Sequence, residues 1–212
     1  MKERSTRFIV VLTTVLSACV NLPSKTAPTV RLFTLPLLVS ERGPGSKAVG
    51  SLRIEEPLIA SPYRGTLIAI RDAPQSTEIR YSREARFAAS IGALLGERLA
   101  DLATDRGEFV SVVRAGQSGP ADWMMVASVE AFECRVAGAS LESHVVMTVS
   151  LQRDRGSERV FAGRYEETSA VVGSDAAALI AALARAFDQL GRKVIDDIAA
   201  ASSSVSPAAK SL

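Results

Sequence analysis

The chain has 212 residues, 25 Lys and Arg against 23 Asp and Glu for a formal net charge of +2, and is 47% hydrophobic but only 5% aromatic. That length is enough for one domain with a sizeable core. So even a charge balance argues against a nucleic-acid partner, which needs clustered positive charge.

At the N-terminus Lys2, Arg4 and Arg7 precede a run, 8–16, that is apolar apart from Thr13 and Thr14 and ends in Leu16-Ser17-Ala18-Cys19. Basic, then apolar, then small residues is the order of a bacterial secretory signal. A leucine three places before a cysteine, with small residues between, looks like a lipobox. Residues 1–18 are then a leader, and Cys19 is the lipid attachment site and mature N-terminus. The alternatives are an ordinary cleaved leader or an uncleaved anchor helix, but the run is short for a hydrocarbon core of about 30 Å. Loss of Lys2, Glu3, Arg4 and Arg7 removes the whole formal charge, so the mature chain is neutral. Lipidation of Cys19 leaves Cys134 without an internal disulfide partner. Cys134 lies in an apolar strand pattern and reads as a small buried hydrophobe.

Residues 19–29 carry Pro, Ser, Lys, Thr and Ala and read as a flexible tether. The domain proper is expected over 30–200. Strands are predicted at 30–39 and 48–55, separated by a break containing Gly43-Pro44-Gly45, and again around Leu67, Ile68 and Ile70 and over 77–81. Phe87, Ile91, Leu94, Leu95, Leu99 and Leu102 then recur at helical spacing, with Ser82 as the expected N-cap and Gly107 just past the end. Ala88, Gly92, Gly96 and Ala100 fall four apart on this helix. Each interior glycine costs about 1 kcal/mol against alanine, so the line implies a close backbone approach. It is either packing within the domain or a partner face, and a homo-oligomer would give it a use.

A strand at 109–113 and a loop at 115–120 lead to three consecutive strands at 123–136, 142–153 and 159–172, joined by short turns as an antiparallel meander. A last helix opens at Ser174 or Asp175, with Leu179, Leu183, Phe187, Leu190, Val194 and Ile198 as its apolar stripe. Residues 201–212 read as a disordered tail. The sum is an α+β domain: a two-layer α/β sandwich, its sheet mostly antiparallel, with two long helices on one face.

The chemistry is sparse. Any base-assisted nucleophile would have to use His144, with Ser143 or Ser150 as the nearby serine. Gly116-Gln117-Ser118-Gly119-Pro120 fails the nucleophile-elbow pattern at its last position. There is no dinucleotide fingerprint and no Gly-Lys pair for a phosphate loop. Glu55-Glu56 and Glu166-Glu167 are adjacent in strands and so face apart, and Asp196 and Asp197 fall on the polar side of a helix. No catalytic residue, cofactor or metal is expected.

Arg31-Leu32-Phe33-Thr34-Leu35, Leu52-Arg53-Ile54-Glu55-Glu56-Pro57, Leu67-Ile68-Ala69-Ile70-Arg71, Glu78-Ile79-Arg80-Tyr81, Arg86-Phe87-Ala88-Ala89-Ser90 and Ala121-Asp122-Trp123 follow one another in an order that resembles the ABC-type transport auxiliary lipoprotein family. Phe87 stands where that family usually has tryptophan, and Ser90 near a common proline. The resemblance implies a non-catalytic, periplasm-facing lipoprotein whose partners are an Mce-domain substrate-binding protein, an ABC permease and its ATPase. It implies phospholipid or related lipid transport between membranes. Val20 follows the cysteine where an inner-membrane retention signal would have aspartate, which favours the outer membrane. Two other readings remain at this point: a lipoprotein that binds a hydrophobic ligand in its sheet–helix interior, and a lipid-anchored hydrolase using His144.

Overall fold

The computed structural model describes residues 29–36, 49–154, 156 and 158–205. The leader, Cys19, nearly all of the tether, the Gly43-Pro44-Gly45 break and residues 206–212 lie outside the described residues. The strands are β1 (Arg31–Phe33), β2 (Ser51–Ile54), β3 (Leu58–Ile59), β4 (Leu67–Arg71) and β5 (Arg80–Phe87), then, after helix α1 (Ile91–Arg106), β6 (Ser111–Val113), β7 (Trp123–Ala137), β8 (Ser140–Arg153) and β9 (Arg159–Ala170); helix α2 (Ala176–Ser204) ends the series.

β7 is the spine of a nine-stranded mixed sheet. On one side it pairs antiparallel with β8 from Trp123↔Arg153 to Ala137↔Ser140, and β8 pairs antiparallel with β9. On the other side β2, β3 and β4 lie one after another along it, each parallel. The sheet therefore forks: β6 extends it beyond β2, while β5 and then β1 extend it beyond β4. The α+β class and the meander are as predicted. The long ladders are antiparallel and the short ones are mostly parallel, because residues 51–71 run in one direction along an edge of β7 and the chain returns through α1, a crossover rather than a hairpin, before β7 begins.

Both helices cover one face. Along β8, Val145, Met147, Val149 and Leu151 are fully buried, as the alternation predicts. They meet Leu183, Phe187, Leu190, Val194 and Ile198 of α2, all at 0% exposure, each such side chain contributing about 1.5–3 kcal/mol before entropy is counted. Phe132 joins the layers, 6.0 Å from Phe87 and 6.4 Å from Phe187 between ring centroids. No described helix is long and apolar enough to cross a membrane.

Two local features depart from the sequence reading. The first helix does not begin at Ser82: β5 runs on to Phe87, and Ser90 is the N-cap, accepting a hydrogen bond from the Ala93 N–H at 3.2 Å. Ser82 accepts from the Ala85 N–H at 3.2 Å, a bond with cap-like spacing made inside a strand where the pairing register with β4 shifts. Gly107 does end α1, in the left-handed conformation. At the other end of the chain α2 opens at Asp175, which accepts from the Ala178 N–H at 2.9 Å, and continues to Ser204, beyond the expected limit at 200.

Candidate functional site

A buried polar cluster lies on the sheet face away from the helices. The β7–β8 register shifts between Val129 and Ala131, leaving Glu130 as an extra residue. A bulge of this kind reverses the alternation beyond it. Trp123, Met125, Ala127 and Val129 are buried on odd numbers before it, whereas Phe132 and Cys134 take the helix side after it, the Cys134 thiol reaching the Leu179 carbonyl at 3.9 Å. Glu133 is thereby turned to the opposite face, where it is only 2% exposed. The Tyr63 hydroxyl donates to its Oε2 at 2.8 Å, and Arg71 donates to both oxygens, at 2.6 and 2.9 Å. The third Arg71 nitrogen, Nη1, reaches the Ser76 carbonyl.

Burial pushes the Glu133 carboxyl up, but the nearby His144 ring and the hydrogen bonds from Arg71 and Tyr63 outweigh it and hold the group at about 2. Of the three, Arg71 and Tyr63 make the short contacts. The His144 Nδ1 stands 3.9 Å from Glu133 Oε1, buried and without a hydrogen-bond partner among the described residues. Burial, and then the bond to Glu133, pushes the Tyr63 phenol up to about 12. His144 Nε2 is paired with Glu166 Oε1 at 2.9 Å. One carboxylate thus ties together the short helical turn Ser61–Tyr63, β4 and β7, with β8 and β9 joined at its rim.

This cluster is a cross-link rather than a nucleophile–base pair. Ser143 faces the helices, where its hydroxyl lies within bonding distance of the Ala182 and Ser169 carbonyls, at 3.0 and 3.1 Å. Ser150 is six residues along β8 from His144, about 20 Å at roughly 3.3 Å per residue. Neither serine named as a partner for His144 is brought to it. Cys134 is fully buried, and burial, with the charge of Glu133 next to it, pushes the thiol up to about 12. A thiol so held is a packing residue. Among the described residues no three His, Cys, Asp or Glu side chains converge as metal ligands.

The line of small residues resolves into separate uses. Ala88 is exposed and precedes the helix, its N–H bonded to the Phe33 carbonyl at 2.7 Å. Gly92 and Gly96 lie against the chain's own Glu56–Pro57 segment: a Cβ on Gly92 would come 2.6 Å from Glu56 Oε1 and 3.3 Å from the Pro57 carbonyl, and one on Gly96 would meet Pro57 Cδ at 3.2 Å. Ala100 is buried in the core. A surface cleft of about 360 Å³ opens beside Gly92, lined also by Glu56, Leu58, Arg64 and Ser90.

The charges of α2 are used in the same way. Asp188 receives two bonds from Arg98, at 2.7 and 2.6 Å, and Arg98 is 7% exposed and also reaches the Pro36 carbonyl. Asp196 pairs with Arg106, Lys193 with Glu167, and Asp197 accepts from the Tyr165 hydroxyl at 2.7 Å. Asp196 and Asp197, read from sequence only as falling on the polar side of a helix, are therefore clamps between α2 and its neighbours. Sequence reasoning missed Tyr63, Arg71, Glu133 and the Arg98–Asp188 pair. The one available signal was Glu133 itself, a carboxylate inside the apolar run 131–134.

Fold and polar architecture together define a class: a two-layer α+β domain whose buried polar groups hold strands and helices in place. The fold is similar to that of protein XCC0632 from Xanthomonas campestris, with a TM-score of 0.71, 17% identity, and coverage of 82% of this chain and 97% of that one. It is also similar to hypothetical protein CT253 from Chlamydia trachomatis, with a TM-score of 0.52, 8% identity, and coverage of 74% and 100%. Comparison with functionally curated proteins gave no match. The sequence matches the family of ABC-type transport auxiliary lipoprotein components over residues 33–195. The chain belongs to that family.

Proposed function

We propose that the chain is a non-catalytic, lipid-anchored accessory of an Mce-type ABC transport system, assisting movement of phospholipid or a related lipid between the inner and outer membranes. Cys19 is the anchor, residues 19–29 are the tether, and the domain is the part that meets an Mce-domain protein, a permease and its ATPase. The observation that carries this reading is the family match over 33–195. The architecture is compatible with it, since the buried acids and bases are engaged with one another and the sheet–helix interior is filled by side chains. Val20 after the cysteine favours the outer membrane.

The test is affinity purification from detergent-solubilised membranes through a C-terminal tag, with Cys19→Ala as control. Recovery of an Mce-domain protein with its permease is expected, and is expected to fail with Cys19→Ala. Recovery of neither from a folded, acylated protein overturns the reading. Fractionation that finds the acylated protein in the inner membrane overturns the outer-membrane assignment alone.

A further inference from the structure

We propose that the β1–β5 edge of the domain is a contact surface for anionic phospholipid, so that the domain lies against the bilayer in one orientation. This inference rests on the reading of Cys19 as a lipidated anchor. Three observations carry it: the length of chain outside the structure, the charge of the edge, and the apolar side chains it leaves bare.

The described residues begin at Thr29 and Val30, immediately before β1. Only residues 20–28 separate them from Cys19. Ten residue steps span at most about 35 Å when fully extended and about 17 Å as a flexible coil. A domain of this size is about 40 Å across. The tether is therefore short relative to the body it carries, and the surface around β1 stays near the bilayer far more of the time than the opposite, β2–β6, branch of the sheet.

That surface has the chemistry of a lipid interface. Arg31, Arg83 and Arg86 are exposed, and among the described residues none of them is found in an ion pair. Arg31 lies instead 4.9 Å over the Phe33 ring. Elsewhere Arg53, Arg71, Arg98, Arg106, Arg114 and Arg135 hold carboxylates, whereas the exposed Arg64, Arg159 and Arg185, which are in no ion pair among the described residues, are scattered over other elements rather than gathered on one strand pair. Among the described residues the acids beside these arginines are Glu84 and Asp175, and Asp175 is occupied in capping α2. The balance is positive, in a mature chain that is neutral as a whole. Interleaved with these charges are Leu32 at 67% and Val30 at 39% exposure on β1. Arg31, Arg83 and Ser174 line one cleft of about 320 Å³. Exposed arginines beside bare aliphatic side chains suit a phosphate layer with acyl chains beneath it. The attraction decays over a Debye length of about 8 Å, a distance the tether readily allows.

The test uses the full acylated protein, with the mass of its N-terminal peptide confirming the lipid. Cys134 is buried and Cys19 blocked, so Ser174→Cys and Ser118→Cys each present one reactive thiol, at the proposed surface and at the far branch. Each fluorophore-labelled protein is placed in phosphatidylcholine vesicles carrying a headgroup spin-labelled quencher, with and without phosphatidylglycerol. The expected result is quenching at position 174 that rises with phosphatidylglycerol, falls in high salt, and drops about fivefold in contact equilibrium for each of Arg83→Gln and Arg86→Gln, with little change at position 118. An acylated protein quenched equally at both positions, or indifferently to phosphatidylglycerol, overturns the surface and leaves the anchor standing. An unacylated N-terminal peptide overturns both.

Discussion

Glu133 shows how one side chain fixes the placing of several elements. Its carboxylate is 2% exposed and is bonded by Tyr63 and Arg71, so the charged form exists only because its partners replace water. Removing one member of such a group leaves the other uncompensated, at a cost of about 3–5 kcal/mol. Glu133→Gln is expected to lose that much in urea denaturation, by freeing Arg71. The same group sets a pH dependence. Its folded value of about 2 lies below the ordinary 4.5, so the stabilisation is complete above about 4.5 and is lost as pH falls through about 2. The shift corresponds to about 3 kcal/mol. Wild type and Glu133→Gln are therefore expected to differ most above pH 5 and to converge toward pH 2. A difference that persists unchanged into acid would show that the carboxylate's charge is not what stabilises the fold.

At the scale of elements, the sequence revealed periods more readily than boundaries. The α2 stripe and the β8 alternation were legible because each is a long run with one buried side. The start of α1 was not, because Phe87 fits two patterns: it alternates with Ala85 in a strand and stands four before Ile91 in a helix, and the core accepts it either way. Ser82 reinforced the error with a bond that mimics a cap. The buried cluster was illegible for a different reason: its members come from four separate elements, brought together by a one-residue bulge that leaves no mark on composition. The small-residue line marked a close approach within the domain, to Glu56–Pro57, rather than the contact between the two helices. The glycine at the helix–helix contact is Gly191, where a Cβ would come 2.5 Å from Leu102 Cδ1. Gly191→Val is expected to force α1 and α2 apart and to cost about 1–3 kcal/mol through overpacking, less any gain in helix propensity. A lowered Tm with unchanged secondary structure by circular dichroism checks this, and an unchanged or raised Tm would mean that Leu102 swings aside freely.

For the molecule as a whole, the question is how much of the chain the folding unit needs. The family match ends at residue 195, but α2 carries on to Ser204 with Ile198 at 0%, Ala199 at 5% and Ser202 at 2% exposure. Those side chains close the core at the end of the sheet–helix sandwich, and Asp196 and Asp197 clamp that turn to Arg106 and Tyr165. Deleting a buried isoleucine to the size of alanine costs about 2–5 kcal/mol alone, and ending the chain after Ile195 removes the clamps as well. Small domains have only about 5–15 kcal/mol of net stability. A chain ending at 195 is therefore expected to lose cooperative unfolding, whereas one ending at 205 keeps it. Urea titration of the two chains decides between them. If the shorter one unfolds with the same midpoint and slope, the last turns of α2 are not part of the core, and their apolar side would be free for a partner of the transport system instead.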